Sequence, residues 1–124
     1  ATTADAVALG ACEIANIKPG RVGGYLEAVR IHDLCREKGI PVWCGGMLET
    51  GIGRAANAAL AALPGFTLPG DISASTRFYA QDIVTDPIVV DDGHVAVPTS
   101  SGLGFEIDHA FLDEVTTSVE EFRP

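Results

Sequence analysis

The chain has 124 residues, 47% of them apolar, enough for one globular domain with a core of its own. Its net charge of −9, from 17 acidic and 8 basic side chains, opposes nucleic-acid phosphates and anionic lipid, so neither is expected as a partner. No apolar run reaches the roughly 18 residues of a membrane span, and Cys12, Cys35 and Cys44, odd in number and without a C-x-x-C pair, argue against a zinc or disulfide framework and for a reducing cytoplasm.

In chain order, "TTADAVALGA" offers Thr2 or Thr3 as an N-cap and Asp5 for the first turn of a short helix. "CEIANIK", residues 12–18, is a short apolar run closed by Pro19 and Gly20 and predicts a buried strand. "PGRVGG" reads as a tight strand-to-helix turn, since it matches neither G-x-G-x-x-G nor the P-loop spacing. "GYLEAVRIHDLCREKG" carries Leu26, Val29, Ile31, Leu34 and Cys35 near helical spacing, with Arg36 and Lys38 at its C-terminal end and Gly39 as a stop. "IPVWCGG" predicts a second strand, and the Ala-rich "TGIGRAANAALAALPG" a helix ending before Pro64 and Gly65. "FTLPGD" predicts a third, short strand, and "GDISASTRFY" a polar loop that either lines a pocket or anchors core aromatics. From about Pro87 the pattern changes: "PIVVDDGHVAVP" reads as a hairpin around Asp91, Asp92 and Gly93, and "DHAFLDEV" as a short helix in the tail.

Apolar strands alternating with helices indicate a parallel sheet covered by helices. Residues 1–86 are therefore read as βα units and 87–124 as a hairpin and tail segment. A sheet of about three such strands leaves edges unpaired, a state normally managed by closure. The sequence does not open on Met, and the unit is expected to continue upstream of Ala1 as part of a larger αβ barrel, with one face of its sheet incompletely covered.

On a period-2 strand, Ile14, Asn16 and Lys18 share one face and Ala15 and Ile17 the other. In a barrel, Asn16 and Lys18 would point inward, with Lys18 at the C-terminal mouth where catalytic groups sit. A desolvated lysine loses proton affinity and becomes competent as a base near neutral pH. A surface lysine ending a strand, or one in a structural ion pair, fits the same pattern. Lys38, in the last turn of a helix, is explained by dipole and solvent. Gly45 and Gly46 allow the backbone to pass close to a ligand. Glu49 precedes Thr50, a possible N-cap, so backbone N–H groups here are candidates to meet a substrate carboxylate; a capped loop with a solvated Glu is the alternative. His32, His94 and His109 have no ligand spacing and are read as solvated or structural.

Taken together, "NIKPGRVGGYLEA", "PVWCGGMLETGIGRAANAALAALPGFTLPGDISAS" and "DDGHVAVP" resemble the enolase superfamily, and within it the branch of o-succinylbenzoate synthases and N-acylamino acid racemases. The resemblance runs from Ala4 to about Val115 and implies the C-terminal part of a modified (β/α)7β barrel, with a C-terminal segment that returns to a capping domain. The chemistry it implies is removal of the proton next to a carboxylate, giving an enediolate held on Mg²⁺. The family's motif lysine matches Lys18, a base in the racemase and a stabilising cation in the synthase. By the same resemblance Gly45, Gly46, Met47, Leu48 and Glu49 border the substrate, Asn16 shares the inward face, and Phe78 lines the acyl pocket. The family's metal carboxylates and second lysine belong to earlier strands, so the 124-residue chain alone is expected to be inactive and to bind Mg²⁺ weakly. The implied partners are a small carboxylate substrate, the preceding part of the enzyme, and further copies in a homo-oligomer. A non-catalytic half-barrel, a muconate cycloisomerase and a dipeptide epimerase are the rival readings.

Overall fold

Pro41 and Gly45 bracket the centre of the fold, because the ladder between its two parallel strands runs only between them. In the computed structural model, which describes residues 2–123, Ala15 N donates to Pro41 O and Gly45 N to Ile17 O. Strand β1 is thus Ala15–Ile17 and β2 is Val42–Cys44, in parallel register with Ala15 opposite Val42 and Ile17 opposite Cys44. The strand expected over 12–18 is shorter at both ends. Before Ala15 its would-be partner is the helix exit at Gly39–Pro41, and Pro41 has no N–H to continue a ladder. Lys18 leaves the strand as the N-cap residue of the next element, still extended at φ −117° and ψ 106°.

Helix α1 (Thr3–Ala8) starts at a capping box: Thr2 Oγ1 accepts from Asp5 N while Asp5 accepts from Thr2 N. "PGRVGG" is more than a turn. Pro19–Val22 forms one helical turn, α2, capped by Gly23 at φ 99°. Helix α3 (Tyr25–Glu37) follows and ends as its Gly39 implied: Gly39 N bonds Arg36 O and Ile40 N bonds Cys35 O, satisfying the last carbonyls. Helix α4 (Gly51–Ala61) stops before Pro64. "FTLPGD" does not form the third strand. It meets β2 and the residue after it only through isolated parallel bridges, Phe66 to Val42 and Asp71 to Gly45, and the register slips by two residues between them, so no continuous ladder forms.

Side-chain alternation on β1 matches the period-2 reading. Ile17 is buried, whereas Ile14 and Asn16 are exposed and Lys18 is half-buried. Ile17, Val42 and Cys44 pack against Ala28, Ile31 and Cys35 of α3 and Leu60 of α4. Each fully buried Ile or Val here contributes about 1.5–3 kcal/mol. His32 belongs to this layer: its Nε2 accepts from Gly65 N at 3.0 Å, its Nδ1 pairs with Asp33, and its ring stacks on Phe66. The structural reading of that histidine holds.

A smaller cluster joins Ala55 and Ala58 of α4 to Ile88. Beyond it, β3 (Val90–Asp91) and β4 (His94–Val95) form the expected antiparallel hairpin. Asp92 and Gly93 take φ 44° and 76°, the paired positive values a two-residue turn demands. Helix α5 (His109–Val115) is capped by Asp108, whose carboxylate accepts from Phe111 N. Val84 bridges antiparallel to Ile107, tying the tail back to the barrel-like part. Among the described residues β1 pairs with β2 alone, so its other edge carries no ladder. No described helix is long and apolar enough to cross a membrane.

Candidate active site

Lys18, Gly46, Met47, Leu48 and Phe78 line one open cavity of about 300 Å³ beyond the C-terminal ends of β1 and β2. The strand brings Lys18 there because its exposed face carries every second side chain. Its Nζ donates to Gly46 O at 3.0 Å, using one of the ammonium's three donors.

Gly45 lies beneath the lysine. A Cβ at that position would collide with Asn16 Oδ1 and stand 2.6 Å from Lys18 Cε, so only glycine lets both side chains cross the end of β2. A Cβ at Gly46 would meet the carbonyl of Asp71 in the same way. Both glycines are close approaches of protein to protein; Gly45 makes room for the site, and Gly46 also lines it.

Asn16, Gly45 and Glu49 are not among the cavity's lining residues. Glu49 is a brace, not a solvated side chain: Oε2 accepts from Met47 N at 2.6 Å and Oε1 from Asn57 Nδ2 at 3.2 Å. Thr50 stands at the N-cap position of α4 without a side-chain cap bond. Asp82 caps the helix instead, its Oδ1 accepting from Gly51 N at 2.9 Å and from Ile83 N at 2.7 Å. Of the backbone N–H groups around Glu49 and Thr50 that were candidates for a substrate carboxylate, those of Met47 and Gly51 are engaged by Glu49 and Asp82.

Three lining residues were not singled out in the sequence: Arg21, Asp71 and Ser73. Arg21 follows Lys18 by three residues in one helical turn, a spacing that puts both on one side, and this was the available signal. Asp71 and Ser73 arrive through the broken bridge segment, which carries no periodicity. The loop "GDISASTRFY" resolves toward the pocket reading. Phe78, beside the 3-10 turn Ser75–Arg77, is 43% exposed, and Tyr79 Oη donates to Leu48 O at 2.7 Å, holding the Met47–Leu48 wall. Two cationic side chains and one carboxylate around the opening favour an anionic guest.

Behind this wall, Cys44 is a poor nucleophile. Burial, with the Glu49 and Asp71 carboxylates adding, pushes its thiol up to about 11 against the opposing pull of Lys18. Burial, with Cys44 and Glu49 adding, also raises the Tyr25 phenol, whose Oη donates to Asn57 Oδ1 at 2.9 Å. Among the described residues no three His, Cys, Asp or Glu side chains group to hold a metal ion. Asp71 stands in the cavity without a second carboxylate, so the described residues do not fit a site for Mg²⁺, which takes several oxygen ligands.

Residues 1–111 match the family model described as Enolase C-terminal domain-like. An N-succinylamino acid racemase from an Amycolatopsis species is 67% identical over 93% of the chain and 31% of its own length. An o-succinylbenzoate synthase from Bacillus subtilis is 54% identical over 94% of the chain and 32% of its own length. The crystal structure of an enolase-superfamily member from Listeria innocua superposes with a TM-score of 0.89 at 48% identity, over 93% of the chain and 31% of that protein. The chain thus spans about a third of the length of the relatives it matches. With an α/β fold, a parallel ladder ending at Lys18 and a family match over most of its length, the chain belongs to the Enolase C-terminal domain-like family.

Proposed function

We propose that the chain forms the Lys18 side of an active site that removes the proton next to a carboxylate, as in an N-acylamino acid racemase or an o-succinylbenzoate synthase. One observation carries the reading: the Lys18 ammonium reaches an open, net-cationic cavity walled by Met47, Leu48 and Phe78. The identities to relatives named for those two activities support it, and they give the muconate cycloisomerase and dipeptide epimerase readings less room.

In the racemase reading the neutral Lys18 amine takes the α-proton, its lone pair forming the new N–H bond while the C–H pair moves into an enediolate. A base on the other face, from the rest of the enzyme, returns a proton to the opposite side. In the synthase reading the base on the other face takes the α-proton, Lys18 stays an ammonium and stabilises the developing anion, and the β-hydroxyl leaves as water on taking that proton back from the same base. General acid–base catalysis of this kind is worth about 10²–10⁴ in rate. Arg21 adds charge at the opening, and Phe78 and Leu48 give the non-reacting group an apolar wall. Mg²⁺ would serve as the Lewis acid in the complete enzyme, with its ligands outside these residues.

We divide the chain into later βα units, 1–86, and a hairpin and tail segment, 87–124, a division that the change from parallel to antiparallel pairing supports. The remaining part of the enzyme and further copies of it are the proposed protein partners. A reducing cytoplasm suits the three free thiols. The function is tested by giving the full-length protein both an N-succinylamino acid in D₂O and the hydroxy-acid precursor of o-succinylbenzoate. Incorporation of α-deuterium or formation of the dehydrated product supports the reading, and neither reaction above background overturns it.

A further inference from the structure

Arg54 is 2% exposed and lies in the first turn of α4, where the helix dipole disfavours a cation. None of the ion pairs among the described residues includes it. Its Nη1 donates to Ser73 O at 2.7 Å and to Ser73 Oγ at 3.0 Å, and its guanidinium carbon stands 5.2 Å from the centroid of the Phe78 ring. Its Nε and Nη2 are buried without partners. Helix end, burial and missing counter-charge all oppose this residue, so packing alone is a poor reason for it. What it touches is specific: Ser73 and Phe78 are two of the residues that share the cavity with Lys18. Arg77, on the exposed side, also approaches the same ring, at 5.6 Å.

We propose that Arg54 is a specificity-determining positioning residue, which from inside the core clamps Ser73 and the Phe78 ring and so sets the shape of the cavity wall. The inference rests on the proposed function for what the wall discriminates, namely the size of the substrate's acyl group. The planar guanidinium bonds both oxygens of Ser73 through one nitrogen while lying against an aromatic ring, a combination an ammonium cannot reproduce. Freed of it, the segment around the 3-10 turn loses its tether to α4, and its own hydrogen bonds, Phe78 N to Ser75 O and Tyr79 N to Ser75 O, then open more often.

The test uses the full-length protein with Arg54→Met, Arg54→Lys, Phe78→Leu and the Arg54→Met/Phe78→Leu double variant, and N-acetylalanine and N-phenylacetylalanine as probes. Arg54→Met is expected to change the ratio of kcat/KM for the two probes at least fivefold, mainly through KM, and to add nothing in the Phe78→Leu background, because contacting residues couple. An unchanged ratio, or additive effects, overturns the proposal. Should Arg54→Met fail to fold, Arg54→Lys is expected to shift the ratio in the same direction, and a wild-type ratio in that variant overturns it. Hydrogen exchange keeps the clamp separate from the reaction. In Arg54→Lys the amides of Ser75, Phe78 and Tyr79 are expected to exchange at least tenfold faster while those of α3 do not change. Uniform acceleration, or none, overturns the clamp even if neither probe turns over, an outcome that would instead remove the proposed function.

Discussion

Lys18 owes its place to its neighbours as much as to its own strand. The flat approach of Gly45 lets the lysine stem and Asn16 cross the end of β2, and the Gly46 carbonyl receives the ammonium. Gly45→Ala must push one of those side chains aside, an overpacking expected to cost about 1–3 kcal/mol. Thermal denaturation of the full-length protein should show that loss together with a fall in kcat of at least tenfold; wild-type kcat would mean Lys18 is not positioned by this contact. Cys44 gives a prediction with a defined pH sign. Its folded thiol, near 11, stays protonated where an unfolded one near 9 ionises. Unfolding therefore releases a proton between those values, and the thiol's contribution to stability is complete below about pH 9 and is lost as pH rises through 11. At pH 8.5 iodoacetamide should modify Cys12 well before Cys44, as peptide mapping would reveal. Of the site, Lys18 was legible from alternation alone, and Phe78 from resemblance. Arg54, Asp71 and Ser73 were not, because a charge inside an Ala-rich helix and two residues in a patternless loop meet only through tertiary contacts.

At the level of elements, the helices were legible where their ends carried chemistry: Thr2 with Asp5, Gly39 at the exit of α3, Asp108 before α5. The hairpin was legible through Asp92–Gly93. The third strand was misread because "FTLPGD" has strand composition while its register against β2 slips by two residues between Phe66 and Asp71. Thr50 does hold the N-cap position of α4, as expected, but its side chain makes no cap bond. The side chain that accepts from Gly51 N is Asp82, 31 residues further on and beyond any local pattern. Asp82→Ala removes that acceptor and is expected to destabilise by about 1–2 kcal/mol, with Asp82→Asn losing less because an amide oxygen still accepts. Denaturant midpoints of the two variants check the order; equal losses would show that the charge, not the cap, matters.

For the whole molecule, the open edge of β1 and the exposed face around Ile14, 52% accessible, define what a polypeptide of these 124 residues does alone. Unpaired parallel edges recruit strands, so the isolated chain should associate with rising concentration in sedimentation velocity, and a monodisperse monomer at every concentration would contradict this. In the racemase reading Lys18 moves a proton at this edge of the fold. Lys18→Arg keeps the charge and replaces a movable amine with a planar group that scarcely deprotonates. The decisive measurement is α-deuterium exchange catalysed by full-length Lys18→Arg on each enantiomer of an N-succinylamino acid. Exchange is expected to fail for one enantiomer and survive for the other, whose proton the opposite base removes. Wild-type exchange of both enantiomers would contradict it.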